Sequence, residues 1–294
     1  MASLSTLCTL LGYTRQAFYG YKQHQIQEVF EAEIIVQEVL KHRELQPRLG
    51  TRKLLVMMQD FVKEHHINLG RDALFGLLRE HNLLIRKRTR RKAQTTFSKH
   101  WYKKYKNLVR SFEPLAPNLL WVSDITYITV ADSFAYLSLI TDAYSRKVVG
   151  FYLSQTLEAT GCIRALQMAL NNCDDTTNLI HHSDRGVQYC CSDYVKLLED
   201  HNIQISMTEN GDPLENAIAE RVNGILKDEL LHEQYNSFQE AQKSVAKAIS
   251  VYNSLRPHSS CNMLTPQVAH QQKGVLKKHW KNYHKQKEVV MAAP

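Results

Sequence analysis

Hydrophobic positions change their spacing partway along the chain. Up to about residue 85 they recur every three to four residues, and from residue 119 they gather into short β-branched and aromatic runs. In the first part, residues 4–11, a break at Gly12, and residues 14–23 with Thr14 as N-cap predict a helix-turn-helix, or else an ordinary helical hairpin. Gln16, Tyr19 and Lys22 would be exposed on its second helix. A separate acidic, amphipathic helix is expected at 27–45, ending before Pro47. Leu49-Gly-Thr51 opens a helix at 52–64, and a turn around Asn68-Leu-Gly70 leads into another at 71–81.

The second part reads as strands at 119–130, 134–144 and 147–154, a helix at 157–172, a strand at 178–183, a helix at 192–201, a strand at 203–207 and a helix at 213–231. Three strands with short turns predict an antiparallel meander, and strands joined through helices pair in parallel. The fold class is therefore α/β, a mixed five-stranded sheet with helices on both faces, preceded by an all-α region. A helix at 237–252 and a loosely ordered Lys- and His-rich tail at 271–288 complete the expectation.

Three carboxylates stand out against this pattern. Asp124 lies inside the apolar run Trp121-Val-Ser-Asp-Ile-Thr-Tyr-Ile-Thr-Val130, and Asp184 ends Asn178-Leu-Ile-His-His-Ser183 just before Arg185-Gly186. A charge within a buried strand is costly unless it is paired or binds a metal. Glu220 falls in the helix predicted at 213–231, which starts at Asp212-Pro-Leu-Glu215 as a capping box. At about 100° per residue Leu214, Ile218, Val222, Ile225 and Leu226 make its apolar stripe, and Asn216, Glu220, Asn223 and Lys227 its opposite, polar face. A lone glutamate on such a face is usually solvated; two strand carboxylates upstream make an oxygen-ligand site for Mg²⁺ the sharper reading.

Charge narrows the partners. Lys and Arg outnumber Asp and Glu by 21 to 10 over residues 1–113, whereas residues 114–294 carry 16 against 19. The excess sits at the front, as a nucleic-acid footprint does. Residues 86–110 hold eleven basic side chains and no acid, with Trp101, Tyr102 and Tyr105 among them. Such a run stays extended until it meets a polyanion, and counterion release would give it salt-dependent, sequence-blind affinity; a solvated linker is the alternative. The six cysteines lack CxxC spacing, which favours reduced thiols and a cytoplasmic chain. Neither His181-His182 nor Cys190-Cys191 is expected to bind zinc, because adjacent strand residues face opposite ways. No apolar run of 18 residues and no signal-peptide pattern is present, so no membrane role is expected.

Asp124 and Asp184 are separated by 59 residues, Asp184 and Glu220 by 35, and Lys227 follows Glu220 by seven. With these go Pro117-Asn-Leu-Leu-Trp-Val-Ser-Asp-Ile-Thr-Tyr127, Asp142-Ala-Tyr-Ser-Arg-Lys-Val-Val-Gly150, His182-Ser-Asp-Arg-Gly-Val-Gln-Tyr189, Glu215-Asn-Ala217, Tyr252-Asn-Ser-Leu-Arg-Pro-His258 and Leu264-Thr-Pro266. The set resembles the retroviral-integrase-like transposases of bacterial insertion sequences, in particular the OrfB type, over roughly residues 10–270. One departure is Arg221, where such proteins more often carry a small polar residue.

The resemblance implies an RNase H-like core and metal-dependent cleavage and strand transfer at mobile-element ends. Asp124 would bridge two Mg²⁺ ions, for which Mn²⁺ can substitute, and Asp184 and Glu220 would each hold one. Lys227 would contact the DNA backbone. The helix pair at 52–81 resembles a second helix-turn-helix, placing Arg71, Asp72 and Arg79 near DNA, and Arg86, Lys87, Arg88, Arg90, Arg91 and Lys92 would contact phosphates. Asp142 is read as structural, and His182 as either a partner of the site or a packing histidine. The implied domains are 1–85 for helical DNA binding, 86–113 as basic linker, 114–270 as catalytic core and 271–294 as basic tail. Implied partners are double-stranded DNA at element ends and target, further copies of the chain on that DNA, and fusion with or help from an upstream reading-frame product. A nuclease that cuts without joining, or a DNA-binding regulator with a vestigial site, are the rivals.

Overall fold

The computed structural model describes residues 3–86, 101–110, 112–209 and 216–280. The chain forms two compact units, Met1–Arg86 and Lys87–Pro294.

In the first unit α1 (Leu4–Leu10) turns through Gly12, whose φ of 74° suits a residue without Cβ, into α2 (Arg15–Leu45). Thr14 caps α2 by accepting a hydrogen bond from the Ala17 N–H at 3.1 Å. Separate helices were expected at 14–23 and 27–45; instead α2 is one helix of 31 residues. His24-Gln-Ile26 offers neither Pro, Gly nor a capping residue to stop it. Contacts one turn apart bridge the expected gap: Gln25 to Tyr21 and Gln27 to Glu31, each 2.9 Å, and His24 with Glu28 at 3.3 Å. The expected helix at 52–64 is split at Met58 into α3 (Thr51–Met57) and α4 (Gln59–Glu64). With α5 (Arg71–Glu80) they enclose a core of Ile35, Val39, Leu49, Leu54, Met58, Ile67, Leu74 and Leu78.

The second unit is built on β1 (Leu120–Val130), β2 (Ser133–Asp142), β3 (Val148–Ser154), β4 (Ile180–Ser183) and β5 (Gln204–Met207), in the order β3-β2-β1-β4-β5. β1–β2 and β2–β3 are antiparallel, and β1–β4 and β4–β5 parallel, as the connections require. One face carries α6 (Ala159–Asn171), the short α7 (Val187–Cys190) and α8 (Ser192–Asp200), packed on Trp121, Ile140, Leu179, Ile203 and Met207. The other carries α9 (Ala217–Ile225) and α10 (Phe238–Ser254), packed on Ile128, Leu137, Leu139 and Leu153. The sheet is thus the expected mixed one with helices on both faces. β3 and α6 meet at Gly150, where a Cβ would lie 2.1 Å from the Ala165 carbonyl oxygen.

Two segments differ from expectation. The helix expected to run as an α-helix to residue 231 continues from α9 as a π-helical turn, Leu226–Leu230, closed by the Leu231 N–H on the Leu226 carbonyl at 2.8 Å. Its predicted cap, Asp212 to Glu215, lies outside the described residues. Beyond α11 (Pro266–Ala269), residues 271–280 are tied to the core rather than loose: Gly274 donates to the Leu115 carbonyl at 2.7 Å, and Lys278 pairs with Glu113 at 2.5 Å. No helix among the described residues is long and apolar enough to cross a membrane.

Candidate active site

The parallel pairing of β1 with β4 runs at a constant offset of 60 residues, Leu120 with Ile180 through Val122 with His182. Asp124 and Asp184 share that offset just past the end of the ladder. Side-chain alternation puts them on one face. Ser123 turns to the α8 side, where its hydroxyl meets His181 Nε2 at 2.7 Å, and His181 also meets the Tyr194 hydroxyl at 2.9 Å. The intervening even positions, Val122 and Ile180, pack under Ala219 of α9. Asp124 and Asp184 therefore both lie on the α9 side.

Hydrogen bonds fix each carboxylate. Asp124 Oδ1 accepts from the Ile125 N–H at 2.9 Å, and its Oδ2 from Asn223 Nδ2 at 2.7 Å. Asp184 Oδ1 accepts from the Gly186 N–H at 2.9 Å. A Cβ at residue 186 would stand 3.0 Å from that oxygen, so the glycine lets the backbone close around the carboxylate. Burial, then the charge of Asp184, push Asp124 up to about 7, with Glu220 adding to the rise and the Asn223 and Ile125 hydrogen bonds opposing it.

Glu220 is exposed on α9, as its position on the polar face implies, but that face is not simply solvated. Asn216 and Asn223, four before and three after Glu220, are buried against β1. Asn216 Nδ2 donates to the Ser123 carbonyl at 2.9 Å while Asn223 holds Asp124. The two amides clip α9 to the strand on either side of the glutamate. Neither was singled out from the sequence for this role, because an asparagine opposite an apolar stripe reads as solvated until a strand is known to lie against it. Among the described residues no three His, Cys, Asp or Glu side chains stand close enough together to enclose a metal ion. The three carboxylates are coupled through Asp124 without forming a closed cage. An all-oxygen set of this kind fits Mg²⁺, which takes one or two protein carboxylates and keeps its waters.

Lys227 is half-buried in the π turn, whose Glu229 grips the buried Arg256 through two bonds of 2.8 Å. Asp142 is fully buried and accepts from the Asn118 and Ser145 N–H groups at 2.8 and 2.7 Å, so it closes the turn after β2 as expected. His182 Nδ1 meets the Ser206 hydroxyl at 2.8 Å and faces away from His181, which burial pushes down to about 3 and keeps neutral. Cys190 and Cys191 are not strand residues as supposed: Cys190 ends α7. In the first unit Arg71, Asp72 and Arg79 are exposed on α5, and Arg71 is paired with Asp72 at 2.8 Å. Arg86 is exposed, with its carbonyl accepting from Arg48. Lys87, Arg88, Arg90, Arg91 and Lys92 lie outside the described residues.

Models of the integrase core domain match residues 114–213 and 201–266. The uncharacterized 31 kDa protein of insertion element IS600 from Shigella sonnei is 34% identical over 267 residues, covering 88% of this chain and 96% of that protein. The transposase InsF for insertion sequence IS3A from Escherichia coli is 36% identical over 192 residues, or 63% of this chain and 67% of that one. The chain belongs to the insertion-sequence transposases with an integrase core. Among solved structures, the HTLV-2 integrase catalytic core domain in complex with magnesium matches at 19% identity with a TM-score of 0.44, covering 54% of this chain and all of that one. In this transposase both integrase-core matches fall within the second compact unit, and together they run from before β1 to the first residue of α11 and include all three carboxylates.

Proposed function

We propose that Asp124, Asp184 and Glu220 are the catalytic carboxylates of this transposase, and that they hold two Mg²⁺ ions, replaceable by Mn²⁺. The observation that carries the reading is Asp124, raised to about 7 in a site where Asp184 and Glu220 both repel its charge. Cations relieve such crowding. Bound ions activate the attacking oxygen and stabilise the leaving oxygen of a phosphodiester. Asp124 supplies the central oxygens, positioned by Asn223. Asp184, held by the Gly186 N–H, and Glu220, on the clipped helix, approach from the neighbouring strand end and from α9. Lys227, one π turn from the helix end, provides a point charge for the DNA backbone.

The substrates are then the ends of a double-stranded mobile element and a target duplex, cut to free a 3′-OH that attacks the target. Joining two ends calls for more than one copy of the chain. Fusion with an upstream reading-frame product is a further proposal that the sequence raises, as is recognition of the ends by residues 1–85 through Arg71 and Arg79, with Arg86 to Lys92 on phosphates. Strand transfer into a supercoiled target with Mg²⁺ and cognate ends is the test. Asp124→Asn, Asp184→Asn and Glu220→Gln should each lower cleavage and joining by about 10³-fold or more while sparing DNA binding, each swap keeping shape and losing a ligand. Near-normal joining by any one of them overturns that residue's role. Cleavage without joining by the parent chain would point to a nuclease.

A further inference from the structure

The segment 101–110 lies along the edge of the second unit with its side chains sorted in two directions. Tyr102 and Tyr105 pack onto the core formed by α6, α7 and α8, and Val109 packs against the cluster of Leu120, Val122, Ala143, Ile180 and Ala219. The backbone is fastened as well. The Met207 N–H donates to the Lys106 carbonyl at 3.4 Å, the Leu108 N–H to the Ser206 hydroxyl at 2.9 Å, and the Asn107 N–H to Glu209 at 3.2 Å. The segment therefore covers the open edge of β5 next to the strand that ends in Asp184.

Its exposed residues are Trp101, Lys103, Lys104, Lys106, Leu108 and Arg110. Trp101 is 87% exposed, more than any other tryptophan of the described residues, yet it is not loose: its ring stacks on Tyr102 with centroids 4.4 Å apart and planes 25° apart. Lys103 lies over the Tyr105 ring at 4.8 Å. One face of the indole is thus backed by Tyr102, most of the ring is exposed, and Lys103, Lys104 and Lys106 follow it within five residues along the segment. A packing role alone would have buried the indole, and a purely electrostatic tether needs no aromatic. Inside a duplex each base is stacked on both sides, whereas an unpaired base leaves its π-faces free for an aromatic side chain.

We propose that the Trp101–Tyr102 stack is a platform for a base of unpaired DNA, with Lys103, Lys104 and Lys106 on the adjoining phosphates. The proposal rests on the DNA reading given above and specifies the form of DNA that this edge holds: a frayed or single-stranded end. From Trp101 to Leu108, whose N–H bonds the β5 edge, the chain spans at most about 25 Å, less than one turn of duplex, about 34 Å. The platform and the bonded β5 edge therefore fall within one turn of the same duplex.

The test uses the full chain, a blunt duplex, the same duplex with a single-stranded tail, and oligo(dT). The tailed duplex and oligo(dT) should quench tryptophan fluorescence, and quenching should survive Trp280→Phe but not Trp101→Phe. Trp101→Ala should weaken tailed duplex and oligo(dT) roughly tenfold, as expected for loss of one stacked base, and leave blunt duplex unchanged. Trp101→Phe keeps a ring and should retain most of the affinity. Equal weakening of blunt and tailed DNA by Trp101→Ala, or no weakening of either, overturns the platform while leaving duplex binding in place. Absence of binding to all three DNAs overturns the platform and the DNA reading together.

Discussion

Asp124 accepts two hydrogen bonds and still stands near 7, because burial and Asp184 outweigh them. Its ordinary value is 3.8, so between about pH 4 and pH 7 the folded chain holds a proton that the unfolded chain has lost. Stability from this group is present in full below pH 4, falls as pH rises to about 7, and stays low above it. Asp124→Asn should therefore raise the melting temperature of the metal-free protein at pH 8 and leave it nearly unchanged at pH 4. Asn223 can accommodate the swap, since its buried Oδ1 has no partner and, with its amide turned, would accept from the introduced side-chain NH₂. If Asp124 takes the ion as proposed, binding must displace the same proton, and Mg²⁺ affinity should drop about tenfold per unit below pH 7. Asn223→Ala removes a bond that favours the charged form and should shift that midpoint upward, by isothermal titration at several pH values. An affinity flat between pH 6 and 8 would show that Asp124 does not take the ion.

At the scale of elements, the π turn and β3 are the pieces with most at stake. Arg256 is 1% exposed and its two bonds to Glu229 tie the turn carrying Lys227 to the end of α10. Arg256→Ala removes two charge-assisted bonds from the 18% exposed Glu229 and should cost about 1.5–3 kcal/mol in denaturant unfolding. Gly150→Ala should be comparably harmful. The added methyl meets the Ala165 carbonyl rather than a flexible side chain, and the strain should exceed the usual ~1–3 kcal/mol of overpacking. Wild-type stability in that variant would mean that α6 can step away from β3. Gly150 and Arg256 both stood in strings noted from the sequence without a physical reason, and the packing supplies it. The strands themselves were legible because β-branched runs leave few alternatives. The joining of residues 14–45 into one helix was not, since a change from basic to acidic composition at Gln27 looks like a boundary while interrupting no backbone bond. Asn216 and Asn223 were legible as a shared face with Glu220; only β1 could show what that face meets.

For the whole molecule, the compact second unit begins before the integrase-core match does. Tyr102, Tyr105 and Val109 bury apolar surface on it, and residues 106–108 bond the β5 edge. A fragment 87–294 should therefore melt cooperatively and above a fragment 114–294, which loses these contacts and exposes an unpaired strand edge. Equal melting temperatures would show that the segment adds nothing to the core. The same two fragments, assayed against element ends and scrambled duplex, would locate recognition. If residues 1–85 read the ends, neither fragment should prefer them; a preference in either would move recognition into the core or tail.

The amide clip between α9 and β1 bears on how the site responds to its surroundings. Asn216 and Asn223 bring Glu220 to the strand in the absence of any ion, so like charges are crowded at the moment the core folds. A cation taken up as proposed would meet carboxylates that are partly positioned, with less freedom left to lose in ordering them. Its binding would also remove a repulsion that folding had to overcome, so by mass action it would stabilise the fold. If the three carboxylates take Mg²⁺ as proposed, added Mg²⁺ should therefore raise the melting temperature of the core, and Asp124→Asn should blunt that rise.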